Sequence, residues 1–316
     1  MKQKKLSNIL SEFGVLFALF ALIIVLGIAS PEFRTVDNFL SLLRQSSING
    51  FLAFGMTCVI LTGGIDLSVG SVLALTSALV AGFMTQGIPA PVAMLAGIVI
   101  GILFGIISGL LVTAGKIQPF IATLVTQIVF RGFTMIYTGG RPISGLGDSF
   151  LFKFVGKGNL FGIPFPVVLF VVIFLIMWFV LEKTTFGRRL YATGSNAAAA
   201  KLAGVNIDKT KIMTYAISGG MAALAGLILL SRLGSAQPRA GEGYELDAIA
   251  AVAVGGTSMN GGVGTITGTL LGVFVMSLLK TGLPYIGLQA NWQQIITGIV
   301  LIVAIFVDVL KNKKTA

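Results

Sequence analysis

The sequence predicts an all-α polytopic membrane protein of about ten transmembrane helices. The second and eighth are expected to be short or broken, and a short helix outside the bilayer joins the sixth to the seventh. Three observations carry this prediction. Only 10% of the 316 residues are charged and 55% are hydrophobic, whereas soluble domains carry roughly a quarter charged residues, so most of the outer surface must face lipid. The charges are separated by gaps of bilayer-spanning length, since a spanning helix needs ~20 mainly apolar residues. Glycine and proline interrupt the longest gaps, where a single helix would overrun the membrane.

The elements follow in order. Lys2, Lys4 and Lys5 form a basic tail, 1–12, ahead of a first span at 13–29. Gly27-Ile28-Ala29 imitates a signal-peptide cleavage site, but a chain that is apolar throughout predicts an uncleaved first helix. The uncharged stretch 45–65 gives the second span, 47–62. Residues 67–115 hold no charge, and Gly87-Ile88-Pro89-Ala90-Pro91 divides them into spans at 69–84 and 91–113. Spans at 119–137, 165–181 and 211–230 follow from single gaps. The gap 248–279 is broken by the run Gly255 to Gly262, which separates a short eighth span, 246–258, from a ninth, 264–280. A tenth at 292–309 leads to a basic tail at 310–316. The whole chain reads as one transmembrane domain, 1–316.

Composition excludes several function classes. The chain has no histidine, so it cannot run a Ser/His or Cys/His relay or a histidine metal site. Cys58 is alone in an apolar run and can form neither an internal disulfide nor a cysteine cluster. The net charge of +11 suits an anionic membrane surface better than nucleic acid in a chain this apolar. With the amino terminus in the cytoplasm and ten spans, 13 of the 22 basic residues fall inside, including both tails. Eight spans with two re-entrant segments would fit the same charges.

Gly97, Gly101, Gly105 and Gly109 step along one helix face, as do Gly264, Gly268 and Gly272. Such stripes let another backbone approach closely, either within one subunit or at a seam between subunits. No nucleotide motif appears: Ala114-Gly115-Lys116-Ile117 lacks the Ser or Thr of a P-loop, and Gly109 is misplaced. ATP must therefore act through another chain. Asp66, Arg131 and Asp247 lie beside apolar spans, but they offer no midplane carboxylate pair for ion coupling.

The segment 186–206, within a cytoplasmic region 182–210, stands apart. Ser195 or Asn196 can cap a helix, Ala197–Ala203 are strong helix formers, and Gly204 can end it. This helix either lies on the membrane surface, snorkelling its lysines, or inserts into a partner. Its small alanine face favours the partner, because a lipid anchor would carry Leu, Phe or Trp.

Four segments in order carry a family resemblance: Gly63-Gly64-Ile65-Asp66-Leu67-Ser68-Val69-Gly70-Ser71, Arg131-Gly132-Phe133-Thr134-Met135-Ile136-Tyr137-Thr138, the 186–206 segment, and Ser235 through Ser258. With these, nearly the whole chain resembles the permease subunits of bacterial sugar ABC importers, most nearly the ribose branch. Sister branches that import xylose, arabinose, galactose or a furanosyl autoinducer share most of the motifs. The resemblance implies a homodimer in the bacterial cytoplasmic membrane, with a cytoplasmic ATPase that uses the ATP and a sugar-binding protein on the outer face. It implies no cofactor, metal or enzymatic activity of the chain itself. Arg188, Asn196, Ala198, Ala199, Lys201, Ala203 and Gly204 would then form the coupling segment. Gly63, Gly64, Asp66, Ser68, Gly255, Gly256, Thr257 and Ser258 are candidates to line the pathway, with a helix-cap role for Asp66 as the alternative. Arg141, Arg239, Glu242 and Glu245 are candidates to meet the binding protein. An ion-coupled secondary transporter, or an ABC permease for another monosaccharide, the autoinducer or a nucleoside, are the competing readings.

Overall fold

The computed structural model describes residues 2–287 and 289–313, with side chains for 14–287, 289 and 291–309. The described chain is mainly helical, with one two-stranded hairpin and several irregular links. Its helices are α1 (Lys2–Ala29), α2 (Val36–Leu61), α3 (Val69–Thr85), α4 (Ala90–Thr113), α5 (Pro119–Thr138), α6 (Phe150–Lys157), α7 (Phe165–Lys183), α8 (Thr185–Ser195), α9 (Ala197–Leu202), α10 (Ile207–Leu233), α11 (Tyr244–Val254), α12 (Ile266–Gly282) and α13 (Ala290–Lys313). The hairpin pairs β1 (Asn159–Leu160) with β2 (Ile163–Pro164). Among the described residues, six helices are long and apolar enough to cross a membrane: α4, α5, α7, α10, α12 with its 3-10 extension, and α13.

Several boundaries correct the sequence-based expectation. The second helix is not short: α2 runs for 26 residues, about 39 Å at 1.5 Å per residue. Its first half carries Asp37, Asn38, Arg44, Gln45, Ser46, Ser47 and Asn49, which lowers its hydropathy. The helix tolerates them because it packs on α10, α12, α7 and α11 rather than on lipid. From Ser46 to Leu61 every residue of α2 is buried. At the position expected for the eighth span stands α11, a helix of 11 residues that ends at Val254 and leaves Gly255 to Thr265 as an irregular link. The 1–12 tail continues α1 from Lys2 onward, and the carboxyl tail continues α13 to Lys313; Met1 and residues 314–316 lie outside the described residues. The sequence reading also missed α6, the hairpin and α8. Each is shorter than a spanning helix, so charge gaps cannot reveal it.

The core is built around α2. Phe170 of α7 stacks on Phe54 with ring centroids 5.2 Å apart and meets Phe51 edge-on at 5.9 Å. Gly50 makes room for the Phe170 ring, which a Cβ there would strike. Both glycine stripes are intrachain seams. Gly101 and Gly105 face Gly219, Tyr215 and Ala223 of α10, and a Cβ at Gly101 would sit 2.7 Å from the Gly219 carbonyl oxygen. Gly268 and Gly272 press against Gly255 and Ala251. Outward faces carry Leu95 and Leu103 on α4, Ile128 and Ile136 on α5, and Ile302 and Phe306 on α13, all exposed. Hydrocarbon-facing surfaces of this kind are what the thin charge supply requires.

Gly105→Leu should force α4 from α10, at roughly 1–3 kcal/mol or more for overpacking. In detergent this is expected as a lower unfolding temperature and a smaller monodisperse fraction. Gly132→Leu, where nothing lies within 4 Å, should leave both unchanged.

Candidate functional site

Two interruptions of the helical backbone meet at one end of the bundle. After Leu61 the chain turns at Gly63, whose φ of +77° favours glycine, and residues 62–68 lead back into α3. Asp66 is buried at 1% exposure and ties this return together. Its Oδ1 accepts from the Ser68 N–H at 3.0 Å and the Ser68 hydroxyl at 2.6 Å, and its Oδ2 accepts from the Ser218 hydroxyl of α10 at 2.7 Å. The Ile65 carbonyl accepts from the Thr123 hydroxyl at 3.2 Å and the Tyr215 hydroxyl at 3.3 Å. Asp66 thus fixes the turn ahead of α3 through Ser68, with no bond to the N–H groups of the helix itself, and reaches across to α10. Ser68 and Gly64 are buried with it, and Gly63 is exposed.

The second interruption, 255–265, packs against the first. The Gly262 N–H donates to the Leu61 carbonyl at 2.9 Å, and a Cβ at Gly261 would lie 2.8 Å from the Gly63 nitrogen. The two glycine motifs singled out in the sequence are therefore neighbours. Gly255 is buried against α12. Gly256 and Thr257 border a mainly apolar cavity of about 520 Å³ between α1, α11 and α13. The Ser258 hydroxyl and the Met259 N–H both donate to Asp308 of α13, at 3.2 and 3.1 Å.

A third segment joins them. The Thr184 hydroxyl caps α8 by accepting from the Gly187 N–H at 3.3 Å. The end of α8 reaches the junction, where a Cβ at Gly194 would run into the Leu61 carbonyl and lie 2.5 Å from the Gly262 nitrogen. The Tyr191 hydroxyl donates to the Gly264 carbonyl at 2.9 Å. The next residues form α9, capped by Asn196, whose side chain accepts from the Ala199 N–H at 2.9 Å. Gly204 follows the helix with φ +84°, the left-handed backbone expected of a residue just past a helix end. Arg188, Asn196, Ala198, Ala199, Lys201, Ala203 and Gly204 are all exposed, and Leu202 beside them is 91% exposed. Sequence reasoning missed Gly194 and Leu202. The signals that could have found them were a Thr cap at the start of α8 and a leucine in a stretch otherwise of small and basic residues.

At the far end of α10 lies a second polar cluster. Arg131 of α5 donates from Nη1 to the Pro238 and Ala240 carbonyls, both at 2.9 Å, so it pins the 235–243 link. Arg141 is exposed on the 139–149 loop, which pairs with the 235–243 link through Ile143 and Ala236. Arg239 and Glu242 are exposed and 4.0 Å apart, a solvated pair contributing little by itself. Glu245 leaves the proposed docking set: it is buried and accepts from Gln127 Nε2 at 3.1 Å. It sits in the first turn of α11, which folds in behind Gly70 rather than facing out. Lys280 of α12 pairs with Asp247 of α11 and lies 5.4 Å from the Tyr244 ring centroid.

Residues 38–305 match the family described as the branched-chain amino acid transport system permease component. The chain belongs to this permease family. It is 50% identical over 317 aligned residues to the ribose import permease protein of Bacillus subtilis (strain 168), covering 100% of this chain and 98% of that one. The ribose import permease protein of Haemophilus influenzae (strain ATCC 51907 / DSM 11121 / KW20 / Rd) is 46% identical over 96% and 95% of the two chains. The galactose/methyl galactoside import permease protein of the same strain is 35% identical over 99% and 98%. No solved structure matches. The family assignment fits a multi-pass membrane chain whose role is transport.

Asp66→Ala removes three accepted hydrogen bonds and orphans two buried serine hydroxyls, each costing roughly 1–3 kcal/mol. It should sharply lower the amount of folded protein in the membrane. Asp66→Asn keeps one carbonyl oxygen and the shape, and should retain most of it. Equal levels for both variants in a fluorescence-detected size-exclusion assay would contradict this tying role of Asp66.

Proposed function

We propose that this chain is the permease subunit of an ATP-driven, binding-protein-dependent importer for ribose in the bacterial cytoplasmic membrane. Similarity over both whole chains carries this reading, at 46–50% identity to ribose import permeases against 35% to the galactose permease. On this reading ten segments thread the membrane with both termini cytoplasmic, and α11 together with the short α3 make up the incomplete crossings. Two copies form the pathway, a separate ATPase subunit binds the ATP, and this chain holds no cofactor. The Gly63–Ser68 and Gly255–Ser258 links fall at the cytoplasmic side of the pathway, and the Arg141 and Arg239 loops face the sugar-binding protein.

The geometry supports α9 as the element the ATPase grips. It is short, capped at both ends, exposed, and carries small side chains with one projecting leucine. Membrane-surface attachment would instead leave a broad apolar face, which α9 lacks. The α8–α9 unit also supplies a route inward. Because Gly194 packs backbone to backbone on Leu61 and Gly262, a displacement of α9 is delivered to both helix breaks at once, with no flexible side chain between to absorb it. Charge pairing at the opposite face, through Arg141 and Arg239, would tune the rate and register of binding-protein docking.

The complex of this chain with its ATPase and ribose-binding protein, reconstituted in liposomes, should hydrolyse ATP faster when ribose-loaded binding protein is added, and accumulate ribose. Uptake by this chain alone, driven by an ion gradient, would establish the secondary-transporter reading instead. Ala199→Trp is expected to leave the permease inserted while ATPase association and ribose uptake fall together. Gly194→Val should keep ATPase association and lose uptake, because it breaks the link inward and not the grip. A Gly194→Val variant with full uptake would defeat this assignment of the route.

A further inference from the structure

Gln45 of α2, Arg232 and Leu229 of α10, and Gln237, Gly241 and Tyr244 of the link into α11 border a cavity of about 480 Å³, within the roughly 300–1,000 Å³ of small-molecule sites. Its position at the far end of α10 from the coupling segment places it toward the binding protein. We propose that this cavity receives the sugar as it leaves the binding protein, holding it by hydrogen bonds to Gln45 and Arg232 and by contact with the Tyr244 ring. The inference rests on the importer reading above and assigns the substrate's first site within it.

The chemistry of the wall is that of a neutral hydroxylated solute. A primary amide donates and accepts, as a hydroxyl does, and the two glutamines give the cavity both functions. Arg232 supplies a fork of donors, and Tyr244 offers a ring face of the kind that packs on the C–H side of a sugar. Arg239 and Glu242 at the rim offset one another, which leaves Arg232 as the charged donor beside the amides.

Gln237 Nε2 donates to the Ser235 hydroxyl at an ordinary 2.8 Å, but the hydrogen bonds that run inward from Arg232 and Gln45 are long. Arg232 Nη1 donates to Gln45 Oε1 at 3.3 Å, Gln45 Nε2 to Asn49 Oδ1 at 3.4 Å, and Asn49 Nδ2 to the Ser277 hydroxyl at 3.5 Å. These lie beyond the usual 2.7–3.2 Å range, so exchanging the outermost for a bond to a sugar hydroxyl costs little. The frame around them is firm. Arg131 fixes the 235–243 link through two carbonyls, Gly241 is pressed against Gly70 of α3, and Lys280 holds the start of α11 through Asp247 and Tyr244. Adaptable polar groups on a fixed wall are what a transient binding site needs.

The test is the amount of ribose moved per ATP hydrolysed by the complete complex in liposomes. Gln45→Leu removes the amide at similar size, and Leu229→Trp fills the cavity without removing a polar group. Both should lower the ratio, Gln45→Leu by about tenfold, the scale of one lost hydrogen bond to an uncharged hydroxyl. Gln45→Asn should recover part of it. An unchanged ratio in both Gln45→Leu and Leu229→Trp, whatever the absolute rates, overturns the assignment. So does a loss of binding-protein docking with the ratio intact, which would make the cavity a docking surface. A wild-type complex that hydrolyses ATP without moving ribose would defeat the importer reading and this site with it, whereas unchanged ratios in the two variants defeat the site alone.

Discussion

The contact on which the rest depends is one where no side chain fits. At the junction of the α2 end, the α8 end and the 261–264 turn, Leu61, Gly194 and Gly262 approach through their backbones alone. One hydrogen bond, from the Gly262 N–H to the Leu61 carbonyl, satisfies two of the polar groups that the breaks expose. Irregular backbone at membrane depth is tolerated only where protein or a lined cavity satisfies it. Here each break is the other's partner, so neither could be displaced by itself without leaving a donor or acceptor stranded. That mutual dependence makes two separate interruptions into one mechanical unit.

The buried polar residues of α2 obey the same constraint by pairing across to α12. The Thr57 and Thr269 hydroxyls meet at 2.8 Å, and Asn49 meets Ser277 at 3.5 Å. The spacing is eight residues on each helix, 57 less 49 and 277 less 269, in opposite directions. That is the register of an antiparallel pair, with Ala53 and Val273 filling the interval, both fully buried. An isolated α2 would be a poor membrane helix. Inside this bundle its polar groups, the 2.8 Å Thr57–Thr269 pair above all, fix which helix lies beside it and in what register, which apolar side chains alone would specify weakly.

Much of the fold was legible because lipid imposes a simple rule on composition. The gaps between charges located α4, α5 and α7 to within a few residues, since these helices expose much of their surface and their hydropathy is set by the solvent they meet. The rule failed for α2, where protein replaces lipid and polar residues are allowed. It was silent on α6 and α8, which need not span. At the site, glycine runs and helix caps showed where the backbone breaks, and Asn196 and Gly204 behave as their residue types require. Which breaks touch was not legible, because Leu61, Gly194 and Gly262 are far apart in sequence and carry no pattern linking them. The burial of Glu245 was hidden for the same reason: it follows from Gly70 and Gly241 closing over it, a contact between distant segments.

The two ends of the bundle are held by different kinds of bond, and the difference has a direction. Near α9 the contacts are backbone on backbone, short and without slack, so displacement passes through them undiminished. At the far end of α10 the cavity side chains Arg232 and Gln45 meet at 3.3 Å, and Gln45 reaches Asn49 behind the wall at 3.4 Å, while Arg131 and the Asp247–Lys280 pair hold the surrounding frame. Between the ends run α10, packed on α4 through glycines, and α2, buried along most of its length. Such closely packed helices have discrete arrangements and resist continuous deformation. A push at α9 therefore has nowhere to dissipate along the bundle, and the compliant groups it meets are those around the cavity. On the proposed reading, stiffness at the α9 end and compliance at the opposite end would let one chain convert motion imposed from one side into a change of affinity on the other.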